Sequence, residues 1–124
     1  MSSRLSQFAG EKYLNIETYR KTGQPVRTAV WFVENNGVLY VRTSEDTGKY
    51  KRVRNNPAVQ IAPCDSRGKP KGDWIKAEAK PAAGEEAQNA YRLLEKKYGM
   101  MYRMTSLFLR GRRYAILEIR ASEN

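Results

Sequence analysis

The stretch Val38–Pro57, VLYVRTSEDTGKYKRVRNNP, decides how this chain is read. VLYV favours β-structure, TSEDTG is a polar connector, KYKRVR is a basic helical segment, and NNP stops it. The order predicts a strand, a turn and a short basic helix. At the start of such a helix the first N–H groups lack intrahelical partners, and Thr43, Ser44 and Thr47 bring hydroxyls close to Lys49. Two readings follow from these residues. One is a phosphate-binding turn; the other is an ordinary capped helix with a solvated basic face.

Working outward, Asn36-Gly37 is the strongest hairpin signal in the chain, and it returns Pro25–Glu34 (PVRTAVWFVE) antiparallel through Val38–Thr43. Before it, KYLNIETYR alternates with period two and reads as a strand, with Lys21–Gln24 as the turn. SSRLSQFAG, at the amino terminus, predicts a short helix capped by Ser2 or Ser3, with Leu5, Phe8 and Ala9 on its apolar face and Gly10 as its stop. After Pro57, AVQIAPCD is a further strand, and Pro63 suggests an edge or bulge at its far end. The loop SRGKPKGD leads to WIKAEAKP, another alternating strand. GEEAQNAYRLLEKKY carries acids early and bases late, which suits a helix dipole, and Gly99 ends it. MMYRMTSLFLR either continues as a short helix or runs irregularly, and RYAILEIR closes the chain as a strand. About six strands in hairpin succession with three or four short helices predict a mainly-β fold, a small antiparallel barrel with helices at its openings.

A length of 124 residues fits one domain, and a chain of this size that holds a ligand often completes the site with a second copy, so a homodimer is expected. Twenty-three Lys and Arg against thirteen Asp and Glu give +10, which favours a polyanionic partner. The basic residues concentrate at Lys49–Arg54, Lys69–Lys71 and Arg110–Arg113. With one cysteine and no histidine, the chain has no intramolecular disulfide, no CxxC pair and no His-based triad or HExxH zinc site. If it is an enzyme, an organic cofactor carries the hard chemistry. No apolar run approaches the ~20 residues of a membrane span, and the amino terminus lacks a signal-peptide core, so a cytoplasmic location is expected.

LYVRTS, then GK, then RNNP, preceded by GQPVRTAVWFV, resembles in order and spacing the split-barrel flavin and deazaflavin oxidoreductases related to pyridoxamine 5′-phosphate oxidase. The resemblance runs from about Lys12 through Glu118. It implies a six-stranded antiparallel split β-barrel with flanking helices, and a homodimer with two cofactor sites at the subunit interface. Carried over residue by residue, it puts Lys49 on the cofactor phosphate and Thr43 at the beginning of the phosphate loop, with Ser44, Thr47, Lys51 and Arg52 adding contacts. Arg27, Thr28, Val30 and Trp31 would lie beside the ring, and Tyr102, Arg103 and Met104 would cover it from the second subunit. Simpler roles stand beside these: Trp31 as plain core, Arg27 neutralised by an acid, Cys64 as an inert small hydrophobe, and Asp73 and Trp74 as a turn followed by a strand.

Where the oxidase pattern has Arg before the phosphate lysine, this chain has Gly48, and it lacks the histidine and long carboxy-terminal segment associated with pyridoxine phosphate. It resembles more closely the short type that uses coenzyme F420, a deazaflavin with a phosphate and an acidic oligoglutamate tail, which the positive charge suits. The implied activity is hydride transfer from reduced F420 to a small unsaturated acceptor selected by loops such as Ser66–Asp73. No residue stands out as general acid, leaving water or a tyrosine such as Tyr102. FMN in the same fold is the alternative. A basic barrel binding single-stranded nucleic acid is a second, although no strand interleaves basic and aromatic residues as a stacking platform needs.

Overall fold

The computed structural model describes residues 3–108 and 113–122. A 3-10 helix, Ser3–Phe8, precedes the strands β1 (Tyr13–Tyr19), β2 (Pro25–Trp31), β3 (Val33–Asn35) and β4 (Val38–Ser44). Helix α1 (Gly48–Asn55) follows, then β5 (Ala58–Cys64), β6 (Ile75–Ala82), α2 (Gly84–Tyr98), α3 (Met100–Phe108) and β7 (Tyr114–Ala121). The ambiguous segment after Gly99 is therefore helical. The expected cap Ser2 and residues 110–112 of the Arg110–Arg113 cluster lie outside the described residues.

The sheet runs β2-β1-β5-β6-β7-β4-β3, with every neighbouring pair antiparallel. Its two ends, β2 and β3, are consecutive in the chain and separated only by Phe32, so the backbone itself closes the sheet into a barrel. There are seven strands where six were expected, because Pro25–Glu34 is broken at Phe32. The break is held from a distance. Tyr98 Oη accepts from the Phe32 N–H at 2.9 Å and lies 2.6 Å from the carbonyl of Lys12, while Lys97 Nζ donates to the Phe32 carbonyl at 2.8 Å. Phe32 is buried, so backbone groups that leave the ladder there need such partners.

Alternation sorts the strands as the period-two rule requires. Leu14 and Ile16 on β1, Leu39 and Val41 on β4, Val59 and Ile61 on β5, and Leu117 and Ile119 on β7 fill the barrel interior. Leu5 and Phe8 of the 3-10 helix and Tyr50 and Val53 of α1 pack against the same core. Outside it, Tyr40 and Ile116 pack beneath Ala90, Leu94 and Tyr102, so α2 and α3 cover one flank. Asn36 (φ 54°) and Gly37 (φ 80°) both have positive φ, as a two-residue hairpin of the primed type needs. β5 is an interior strand, but its pairing with β6 ends at Ile61, so at Pro63 the missing N–H costs no ladder bond on that side.

Candidate functional site

The turn before α1 is closed by its own hydroxyls. Thr47 is the N-cap: its Oγ1 accepts from the Tyr50 N–H at 3.3 Å and donates to the Ser44 carbonyl at 2.8 Å. With that proton committed, Thr43 is the donor in its 3.2 Å contact with Thr47, and Ser44 donates to the Asp46 carboxylate. The three hydroxyls are taken up inside the turn, Thr43 and Thr47 meeting each other and Ser44 turning to Asp46. What faces outward is charge.

Lys49 is half-buried at the first turn of α1, and among the described residues no ion pair reaches it. Burial, and then the charge of Arg52, push its ammonium down to about 8. Arg52 Nε donates to Thr18 Oγ1 on β1 at 2.7 Å. Burial first, then the charge of Arg20, lower the Arg52 guanidinium's affinity for its proton. Two cations that make no ion pair among the described residues therefore stand together at the first turn of α1, whose leading N–H groups lack intrahelical partners. Lys51, in contrast, is exposed, and Tyr50 and Val53 face the core, so the helix presents Lys49 and Arg52 on one side.

The β2 candidates divide. Arg27 lies opposite Glu17 in register, pairs with it at 2.7 Å and stacks over Trp74 at 4.5 Å, so an acid neutralises it. Burial raises the pKa of Glu17, but the bonds from Tyr19 and Arg27 and the charge of Arg27 outweigh it and leave the carboxyl below its ordinary value. Thr28 and Val30 lie on the face of β2 that pairs toward Ile16 and Leu14, while Trp31 faces outward and stacks on Tyr98 at 4.5 Å and 8°. Val30, Trp31, Arg42, Leu94 and Tyr102 line a small apolar cleft of about 190 Å³. Tyr102 thus meets β2 of its own chain, whereas Arg103 is exposed and pairs with Glu95 at 3.6 Å. Met104 is exposed. Cys64 is buried, which first of all raises its thiol to about 11 and keeps it inert. Asp73 is tied by backbone bonds to the Gln7 amide, consistent with a structural turn.

Arg42 was missed by sequence reasoning. Its guanidinium lies over the rings of both Tyr102 (4.5 Å) and Tyr114 (4.9 Å). The signal was present in the alternation of β4, which puts Tyr40 and Arg42 on the face opposite Val41 and Thr43. A larger cleft of about 860 Å³ opens at the start of α2, lined by Tyr40, Glu85, Glu86 and Arg92 among others. Its two carboxylates suit an anion poorly.

No protein-family model matches the sequence, and no curated protein matches it. Solved structures share its fold. The heme storage protein HutZ from Vibrio cholerae superposes with a TM-score of 0.74 at 16% identity, over 93% of this chain and 84% of that one. A Listeria innocua protein provisionally assigned as a pyridoxamine 5′-phosphate oxidase gives 0.68 at 15% identity, over 97% and 91%. An F420 reductase gives 0.63 at 18% identity, over 99% and 96%. The architecture is the split barrel of pyridoxamine 5′-phosphate oxidase-like proteins.

Proposed function

We propose that this chain is a split-barrel oxidoreductase that binds coenzyme F420 through its phosphate and passes reducing equivalents to a small unsaturated acceptor. One observation carries the reading: the half-buried Lys49 ammonium, with Arg52 beside it and no ion pair to either among the described residues, at the start of α1. Holding a partly desolvated cation without a counter-ion is costly, and an arriving phosphate removes that cost. The residues present fit such a group. Lys49 and the first N–H groups of α1 hold the phosphate, and the wall of Val30, Trp31 and Tyr102 excludes water from a planar ring beside β2. When bound, a reduced deazaflavin supplies the hydride, and the protein supplies position and electrostatics.

The net charge of +10 favours F420, whose tail adds carboxylates, over FMN, whose charge is confined to its phosphate. FMN remains the second reading, because Lys49 meets the phosphate of either. A haem, which the name of HutZ implies for that protein, would need an axial ligand other than histidine in this chain. We infer a homodimer, supported by Met100, Met101 and Met104, which leave 77%, 58% and 57% of their surface exposed on α3 next to the cleft.

Fluorescence titration of the cofactor-free protein with F420 and, separately, FMN tests the assignment. Tighter binding of F420 is expected. Tighter FMN binding makes this a flavin protein, and binding of neither, with salt-dependent binding of single-stranded DNA or RNA, makes it a nucleic-acid protein.

A further inference from the structure

Gly48 opens α1 with an ordinary negative φ, so nothing in its backbone calls for glycine. Its surroundings do. A Cβ built on residue 48 would sit 2.6 Å from a terminal nitrogen of Arg52, which has folded back over the first turn of the helix. Arg52 is held in that pose from the sheet, by the 2.7 Å bond from its Nε to Thr18 Oγ1. Arg20 lies in the turn just past the end of β1, two residues beyond Thr18, and its charge acts on that guanidinium. Glu17, the acid next to Thr18, is committed to Tyr19 and Arg27. Three cations thus gather where one would serve a single phosphate.

We propose that Gly48 is a specificity-determining residue: by carrying no side chain it admits the Arg52 guanidinium to the first turn of α1, where Arg52 and Arg20 extend the Lys49 site into a subsite for a second anionic group. The ligand class is a terminus with two linked anions, a phosphate followed by another phosphate or a carboxylate. The inference rests on the reading of Lys49 as an anion site and adds to it the number of charges the site takes and the residues that count them.

The test is calorimetric titration of the cofactor-free protein with inorganic phosphate and with pyrophosphate at fixed ionic strength. Wild type is expected to bind pyrophosphate at least tenfold more tightly than phosphate. Gly48→Ala displaces only the far end of a flexible side chain and improves helix propensity, so it folds, and it is expected to cut that preference to threefold or less. Arg20→Ala and Thr18→Val act in the same direction without touching residue 48. Lys49→Ala weakens both anions together. Equal affinity of wild type for the two probes overturns the subsite while leaving Lys49 as an anion site, as does an undiminished preference in folded Gly48→Ala and Arg20→Ala. Binding of neither anion, or indifference of both to Lys49→Ala, overturns the anion reading itself.

Discussion

At the scale of residues, Lys49 carries the functional argument and also an acid–base signature. Its ammonium, ordinarily near 10.5, is lowered to about 8 by burial and by Arg52. Between those values the unfolded chain keeps a proton that the folded chain has lost, so the stability of the cofactor-free protein rises with pH across that window. Below about 8 both states are protonated and the burial cost is fully present. Lys97, beside the ring of Phe32, is lowered to about 8 as well, chiefly by burial, and adds to the same rise. Thermal melts from pH 7 to 10.5 will show it, and Lys49→Met and Lys97→Met will each flatten the slope; a slope unchanged by both places the titrating groups elsewhere. Anion affinity runs the other way, falling as pH passes 8 and Lys49 loses its charge. Lys49→Ala is expected to weaken cofactor binding by ~1.5 to 3 kcal/mol, the range of a charge-assisted hydrogen bond, with the fold intact. Unchanged affinity removes Lys49 from the site.

The elements show which parts of the structure sequence alone could reach. The Asn36-Gly37 hairpin, the strand, turn and helix of Val38–Asn55 and the span of α2 are all legible, because each is written in adjacent residues. Phe32 is not. PVRTAVWFVE favours β-structure throughout, and the interruption is imposed by Tyr98 and Lys97, more than sixty residues away. The role of Arg27 was likewise undecided until the β1–β2 register set it across from Glu17, and the Arg52 to Thr18 bond spans α1 and β1. Pairings across elements depend on topology, which local patterns do not contain. Tyr98→Phe tests the break directly: it leaves the buried Phe32 N–H without its acceptor and is expected to cost ~1 to 3 kcal/mol in urea unfolding. A loss below ~0.5 kcal/mol would show that the hydroxyl does not hold the break. Thr47→Ala removes the N-cap of α1 and is expected to cost ~1 kcal/mol by the same measurement, with a negligible change ruling out the cap as a support of the turn.

For the whole molecule, charge and surface set the behaviour. A protein of +10 attracts an anionic ligand over a distance that salt shortens, so under the proposed function the association rate of F420 is expected to fall steeply between 20 and 200 mM salt, roughly the range over which the Debye length drops below ~10 Å. Stopped-flow fluorescence measures this, and a rate indifferent to salt leaves only the local site. Sedimentation is expected to give twice the chain mass, and Met101→Glu with Met104→Glu to halve it. A monomeric wild type withdraws the dimer. No helix among the described residues is long and apolar enough to cross a membrane.

The barrel is a ring fastened by a single clasp, and the clasp is worked from outside the ring. Phe32 is held by the last turn of α2, whose Leu94 also lines the cleft against Val30 and Tyr102. Fraying of that turn undoes the fastening without first breaking a strand ladder, so the Phe32 amide will exchange with deuterium in step with α2 and faster than the amides of Leu14, Ile61 and Leu117. A ligand packed into the cleft presses on the same helix, and its arrival will be legible as slowed exchange at Phe32, a residue that does not line the cleft.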